Sequence, residues 1–269
     1  MNVQSGLDAC TVLVTRPASE AASWVAALQA SGVHACAMPL IDIAALADTS
    51  DLIRAWENLH QQLAVMFVSA NAVRHFMAAR PTGVSRPQIQ AWCTGPGTRA
   101  ALEEALWPSD LILSPDASCG QFDSEALWAI VLPQLEQAVR SGSSQKVLIV
   151  RGADARGQVS GRDWLAQQML ASGLEVSQCA AYIRQSPHWT PAQLAQARKA
   201  LCDGRWWLFS SSEAAVHLQQ ALPDVPLARA RALATHPRIA ERLRQWGWGR
   251  VVLVPAALPA QAESIKSLA

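Results

Sequence analysis

The sequence predicts an α/β protein of two parallel-sheet domains, the first of them discontinuous. Three observations predict it: short apolar runs alternating with amphipathic stretches, an internal duplication over most of the chain, and two extended segments where one copy hands over to the other. Apolar runs read as strands near 11–15 (TVLVT), 34–38, 65–69 (VMFVS), 90–94 (QAWCT), 110–114, 146–151 (KVLIVR), 175–183, 205–210 (RWWLFS), 231–235 and 251–254 (VVLV). Short apolar runs of this kind suit strands buried on both faces of a parallel sheet. Helices follow most of them. In 18–31 the residues Ala21, Trp24, Val25 and Leu28 make one apolar face and Gly32 stops the helix; 161–173 repeats the design with Trp164, Leu165, Met169 and Gly173.

That likeness belongs to the duplication. VLVTRP…WVAALQASGVHACAMPLI (12–41) parallels VLIVRG…WLAQQMLASGLEVSQCAAYI (147–183), each a strand ending in arginine, a helix, Ser-Gly and a second strand. FVSANAV (67–73) parallels FSSSEAA (209–215), and TGPGTRAAL (94–102) parallels THPRIAERL (235–243). Two flavodoxin-like α/β units fit this better than one long sheet. PLIDI and AAYIRQSP are extended runs without helical period. They read as connector strands at 39–42 and 177–184, which divides the chain into residues 1–38 with 185–269 as one domain and 43–176 as the other.

Composition narrows the classes of function. The chain has 269 residues, 51% hydrophobic and 16% charged, as in a soluble globular protein. Its longest apolar runs fall short of the ~20 residues of a membrane span, and the N-terminus lacks the basic, apolar and small-residue regions of an export signal. A cytoplasmic protein is expected. The six cysteines (Cys10, Cys36, Cys93, Cys119, Cys179, Cys202) form no C-x-x-C pair, so neither zinc nor a disulfide framework is signalled. A net charge of +1 gives no case for nucleic acid, but nineteen of the twenty-two basic residues are arginine, whose planar fork suits carboxylates and phosphates.

In open α/β sheets ligands meet the carboxyl ends of strands. Here those ends carry Thr15 and Arg16; Ser69, Ala70 and Asn71; Thr94, Gly95, Pro96, Gly97 and Thr98; Arg151 and Gly152; Ser211, Ser212 and Glu213; Thr235, His236, Pro237 and Arg238. Hydroxyls, glycines and arginines dominate, beside helix N-termini whose unpaired N–H groups favour carboxylate or phosphate. Each hydroxyl taken singly is an ordinary helix cap, and His236 reads as packing or capping. Recurrence at matching ends of both copies argues for more. No phosphate-binding loop, dinucleotide fingerprint, nucleophile elbow or zinc-protease motif is present. In SCGQFDSEALWAIV (118–131) Ser124 reads as a helix cap and Cys119 as incidental, and the eleven tryptophans read mostly as core.

Taken in order, VLVTRP, FVSANAV, TGPGT, FDSEALW, VLIVRG…GRDWLAQQMLASGLEV, AAYIR, FSSSEA and HPRIAERL resemble the uroporphyrinogen-III synthase family from about residue 11 to 255. The resemblance implies two α/β domains joined by a two-stranded connection, with substrate in the cleft between them. It implies a lyase that cyclises hydroxymethylbilane, a linear tetrapyrrole bearing eight carboxylates, to uroporphyrinogen III with loss of water and inversion of the fourth ring. No cofactor or metal is implied.

By the same resemblance Tyr182, the only tyrosine, is the catalytic residue, a donor toward the leaving hydroxyl. Arg16, Ser69, Asn71, Thr94, Gly95, Gly97, Thr98, Arg151, Gly152, Ser211, Ser212, Thr235 and Arg238 are expected as the substrate contacts. THPRI departs from the Gly-Pro-Thr-like turn of many members, and the loop 152–161 is longer than common. The protein is expected to be a monomer with a small-molecule partner, the linear tetrapyrrole, and a transient contact with the preceding pathway enzyme, and to bind neither nucleic acid nor membrane. The main rival reading is a non-enzymatic two-domain binder of an anionic small molecule. A receiver-like regulatory module would need acidic residues at the strand ends, where Thr15, Arg16 and Ser69 stand.

Overall fold

The computed structural model describes residues 10–116, 123–141, 144–159 and 164–268, so Cys119 and part of the 152–161 loop lie outside it. The chain divides into two compact units, Met1–Asp42 with Gln185–Ala269, and Ile43–Arg184. Its first stretch gives β1 (Val12–Val14), α1 (Ala18–Ala30), β2 (Ala35–Ala37), β3 (Asp42–Ala45) and α2 (Ser50–Glu57). Next come β4 (Ala64–Phe67), α3 (Ala70–Ala78), β5 (Gln90–Cys93), α4 (Pro96–Glu104), β6 (Ile112–Leu113) and α5 (Ser124–Ser141). Then follow β7 (Lys146–Ala153), α6 (Trp164–Ala171), β8 (Glu175–Gln185) and α7 (Pro191–Cys202). The chain closes with β9 (Trp206–Phe209), α8 (Ser212–Ala221), β10 (Arg231–Ala234), α9 (Pro237–Gln245), β11 (Arg250–Leu253) and α10 (Leu258–Lys266).

The first unit's sheet has the order β2-β1-β9-β10-β11, every neighbouring pair parallel. The second has the order β3-β8-β7-β4-β5-β6, with the pairs from β8 to β6 all parallel. Counting β1 and β7 as the first strand of each copy, both sheets share the flavodoxin-like order, with β3 added at the second sheet's edge, and the second unit is circularly permuted because β4, β5 and β6 precede β7 and β8 in its chain. Residues 39–42 lead into β3, which joins the second unit's sheet beside β8, and 177–184 lie within β8 itself. The strand expected at 110–114 is cut to two residues because Ser109–Leu111 form a 3-10 turn.

Strand alternation sorts the second unit's apolar residues into two layers. Val65 and Phe67 of β4, Ala91 and Cys93 of β5, and Leu148 and Val150 of β7 face one way, toward α2, α3 and α4. Ala64, Met66, Trp92, Val147 and Ile149 face the other, toward α5 and α6. The central strands are therefore buried on both faces, as their unbroken apolar runs require.

The helix stops of the two copies match in detail. Gly32, at φ +83°, lets its N–H reach Gln29 O (2.9 Å) while Val33 N–H reaches Leu28 O (2.9 Å). Gly173, at φ +85°, does the same with Leu170 O (3.0 Å), and Leu174 with Met169 O (3.1 Å). These paired bonds close each helix on carbonyls it would otherwise leave open. At the other kind of end, Thr190 and Gln193 form a reciprocal capping box on α7. Thr190→Ala is expected to destabilise the protein by about 1 kcal/mol, read as a lowered urea midpoint; an unchanged midpoint would mean that the cap contributes nothing.

Candidate functional site

The switch point of a flavodoxin-like sheet lies between its first and third strands, here β7 and β4 in one unit and β1 and β9 in the other. In the second unit, Ser69 leaves β4 in extended conformation and caps α3, its Oγ accepting from Ala72 N–H at 3.1 Å. Across the sheet, β7 and β8 pair in register up to Arg151↔Ala180, then resume at Gly152↔Tyr182. The extra residue, Ala181, is a β-bulge. Strict alternation after Cys179 would turn Tyr182 to the opposite face. The bulge instead brings Cys179, Ala181 and Tyr182 into the same layer as Phe67, Phe76 and Trp56.

So placed, Tyr182 is 3% exposed and its Oη lies 3.0 Å from Ser69 Oγ. Gly152 makes the seat: a Cβ there would come within 2.7 Å of both Cε2 and Cζ of the ring. His75, one helical turn beyond Asn71 on α3, stacks on the phenol with centroids 5.6 Å apart and planes at 28°. Burial pushes the His75 pKa below its ordinary value, which favours the neutral ring.

The other expected contacts of this unit divide. Asn71 and Thr98 are buried polar residues, and Gly95 caps α4 without a side chain, followed by Pro96 at the first helical position. A Cβ at Gly95 or Gly97 would meet nothing within 4 Å, so the space above this helix N-terminus beside Thr94 is open. Arg151 is 3% exposed and donates to Gln178 Oε1 at 3.0 Å. Following Val150 on β7, its side chain falls by alternation on the layer opposite Tyr182.

In the first unit, Thr15 Oγ1 donates to Leu208 O at 2.7 Å and ties β1 to β9 at the switch point. Arg16 pairs with Glu20 at 3.0 Å and lies 3.8 Å over the Trp24 ring; burial lowers its pKa, and Glu20 opposes that shift. The first turn of the helix that follows thus answers its charge. Ser211 caps α8, accepting from Glu213 N–H at 3.1 Å. Ser212 Oγ is buried with no hydrogen-bond partner among the described residues, and Ser212 lines a cavity of about 460 Å³ with Arg238, Glu241, Arg242 and Gln245. Thr235 follows β10, and His236 caps α9, its Nδ1 accepting from Arg238 N–H at 3.2 Å. Ser212 and Arg238 therefore meet at one cavity, while Arg16 is held elsewhere.

Two of the buried thiols are poor nucleophiles. Burial pushes Cys93 up to about 12 and Cys179 up to about 11, so neither forms a thiolate near neutral pH. Among the described residues no three of His, Cys, Asp or Glu converge as metal ligands, and no helix is long and apolar enough to cross a membrane.

The HEM4 family model, described as uroporphyrinogen-III synthase HemD, matches residues 22–258. The chain belongs to the uroporphyrinogen-III synthase family. Enzymes of this family are lyases. The chain is 26% identical over 250 residues to the uroporphyrinogen-III synthase of Salmonella typhimurium, covering 88% of this chain and 92% of that one. Among solved structures it is similar to uroporphyrinogen-III synthetase from Helicobacter pylori, with a TM-score of 0.60, 16% identity and coverage of 97% and 100%. A mutant uroporphyrinogen III synthase from Thermus thermophilus gives a TM-score of 0.54 at 18% identity, covering 96% and 98%. At these identities the structures support the fold, two α/β units, and the family match supports the activity.

Reading the sequence for strand ends did not single out His75. Its one local signal is its position one turn after Asn71 on the helix that Ser69 caps, which means something only once Tyr182 is known to lie opposite.

Proposed function

We propose that the chain cyclises hydroxymethylbilane to uroporphyrinogen III, with Tyr182 delivering the proton that lets the terminal hydroxyl leave as water. The observation that carries this reading is the hydroxyl pair at the β7–β4 switch point, Ser69 Oγ against Tyr182 Oη at 3.0 Å. Ser69 Oγ already accepts from Ala72 N–H. When it donates its own proton to Tyr182 Oη, the phenol proton is left for a third group, the departing hydroxyl. Loss of water gives an azafulvene on the first ring. The fourth ring attacks it through its substituted carbon, the spiro intermediate fragments, and the ring recloses inverted. The proton released as the closed ring regains aromaticity restores the phenol.

The reaction needs conformational control more than strong acids, because the flexible substrate can also close without inversion. Holding the reacting carbons in near-attack geometry is therefore the larger contribution. The carboxylates of the substrate are assigned to the donor-rich strand ends: Ser69 and Asn71, the open N-terminus of α4 with Thr94, Gly95, Gly97 and Thr98, and Ser211, Ser212, Thr235 and Arg238. Arg16 and Arg151, which pair with Glu20 and Gln178, and Gly152 complete the set of proposed contacts. The same reading takes the protein as a cytoplasmic monomer that meets the preceding pathway enzyme transiently.

The test supplies hydroxymethylbilane freshly made by its own synthase and resolves the isomers formed. Isomer III in excess of the protein-free control is expected. Isomer I alone would overturn the reading in favour of a non-enzymatic binder.

A further inference from the structure

We infer that His75 is a positioning residue for this reaction: its ring, stacked on Tyr182, holds the phenol in the orientation that brings Oη to Ser69. The inference rests on the proposed role of Tyr182 and adds to it a residue that touches the acid, not the substrate.

A hydrogen bond to Oη fixes one end of a long side chain, and the angle of the ring is set by what packs on its faces. On the β7 side the seat at Gly152 is bare backbone, which gives room to the ring but no side chain to grip it. Among the described residues the ring that stacks on Tyr182 is His75, at 5.6 Å and 28°, within the range in which ring pairs attract beyond their buried area. Both groups that locate the phenol, Ser69 at the cap and His75 further along, belong to α3 and its cap. That helix is itself anchored, Trp56 stacking on Phe76 at 4.6 Å and donating its indole N–H to Phe76 O at 2.8 Å. The partner of the hydroxyl and the partner of the ring are thus fixed to one rigid body. Burial disfavours the charged imidazolium, which favours a neutral imidazole ring in the stack. His75 is only partly buried, at the margin of the apolar layer that holds Tyr182.

The experiment compares His75→Ala, His75→Phe and Tyr182→Phe in the full chain, by isomer-resolved kinetics and by ¹⁹F NMR. Because Tyr182 is the only tyrosine, protein labelled with 3-fluorotyrosine reports on this ring alone. His75→Ala is expected to lower kcat for isomer III about tenfold with KM little changed, a misplacement effect, and to shift or broaden the Tyr182 resonance. His75→Phe, which keeps a flat ring in the stack, is expected to restore both. Wild-type kcat and an unmoved resonance in His75→Ala would overturn the inference, as would a His75→Phe variant no better than His75→Ala. Wild-type turnover in Tyr182→Phe would instead bring down the underlying assignment of the acid, so the two failures are distinguishable.

Discussion

Gly152→Ala is expected to cut isomer III formation on the order of 100-fold while leaving a folded protein. Two opposed effects decide the sign. Replacing glycine inside a strand restricts the unfolded chain and by itself favours folding by about 0.4–1 kcal/mol. The added methyl, however, would stand 2.7 Å from Cε2 and Cζ of Tyr182 and 3.0 Å from its hydroxyl oxygen, well inside contact distance. Overpacking of this kind costs about 1–3 kcal/mol, so the clash wins and the net loss of stability is small. Relief comes by moving the ring, because β7 is held by pairing to both β4 and β8. The moved ring no longer meets Ser69. Isomer-resolved kinetics with a thermal melt checks this: near-wild-type turnover would show that the phenol does not need its seat.

Trp56→Ala is expected to be the costliest stability change, about 3–5 kcal/mol. Trp56 is 2% exposed, stacks on Phe76 and donates to its carbonyl, so truncation removes a large apolar body from between α2 and α3 and one hydrogen bond with it. Trp56→Phe retains the stack and should lose much less. In urea, the unfolding transition of the unit that contains Trp56 is expected to move down, with that of the other unit unchanged. A loss below about 1 kcal/mol would mean that the layer collapses around the gap and that α3 does not depend on this anchor.

The sheets were legible because their strands are buried on both faces and therefore spelled as apolar runs, and because the second copy repeats the first down to the glycine after each helix, Gly32 and Gly173. β3 was harder to see: PLIDI is extended but short, and whether such a segment joins a sheet depends on β8, about 140 positions away. The strand-end capping residues were legible as types, and Ser69, Ser211 and His236 are caps. Which of them gather at one point was not. Tyr182 was reached through resemblance, since the phenol's face is decided by a bulge at Ala181, and CAAYI reads the same with or without one. The pairing of Arg16 with Glu20 was not read from the sequence, because Arg16 precedes α1 and helical spacing does not reach it. Gly152 was named as a ligand contact, and the structure adds a reason that lies in the partner strand: the ring of Tyr182 occupies the place of its side chain.

The most direct test of the central claim is the initial rate of isomer III formation by Tyr182→Phe, measured beside the wild-type protein on freshly generated hydroxymethylbilane. Phenylalanine keeps the ring in its seat and removes only the hydroxyl. The account predicts a fall of about 100-fold or more, an unfolding midpoint close to wild type, and isomer I taking over the product. A wild-type rate of isomer III from this variant would contradict it.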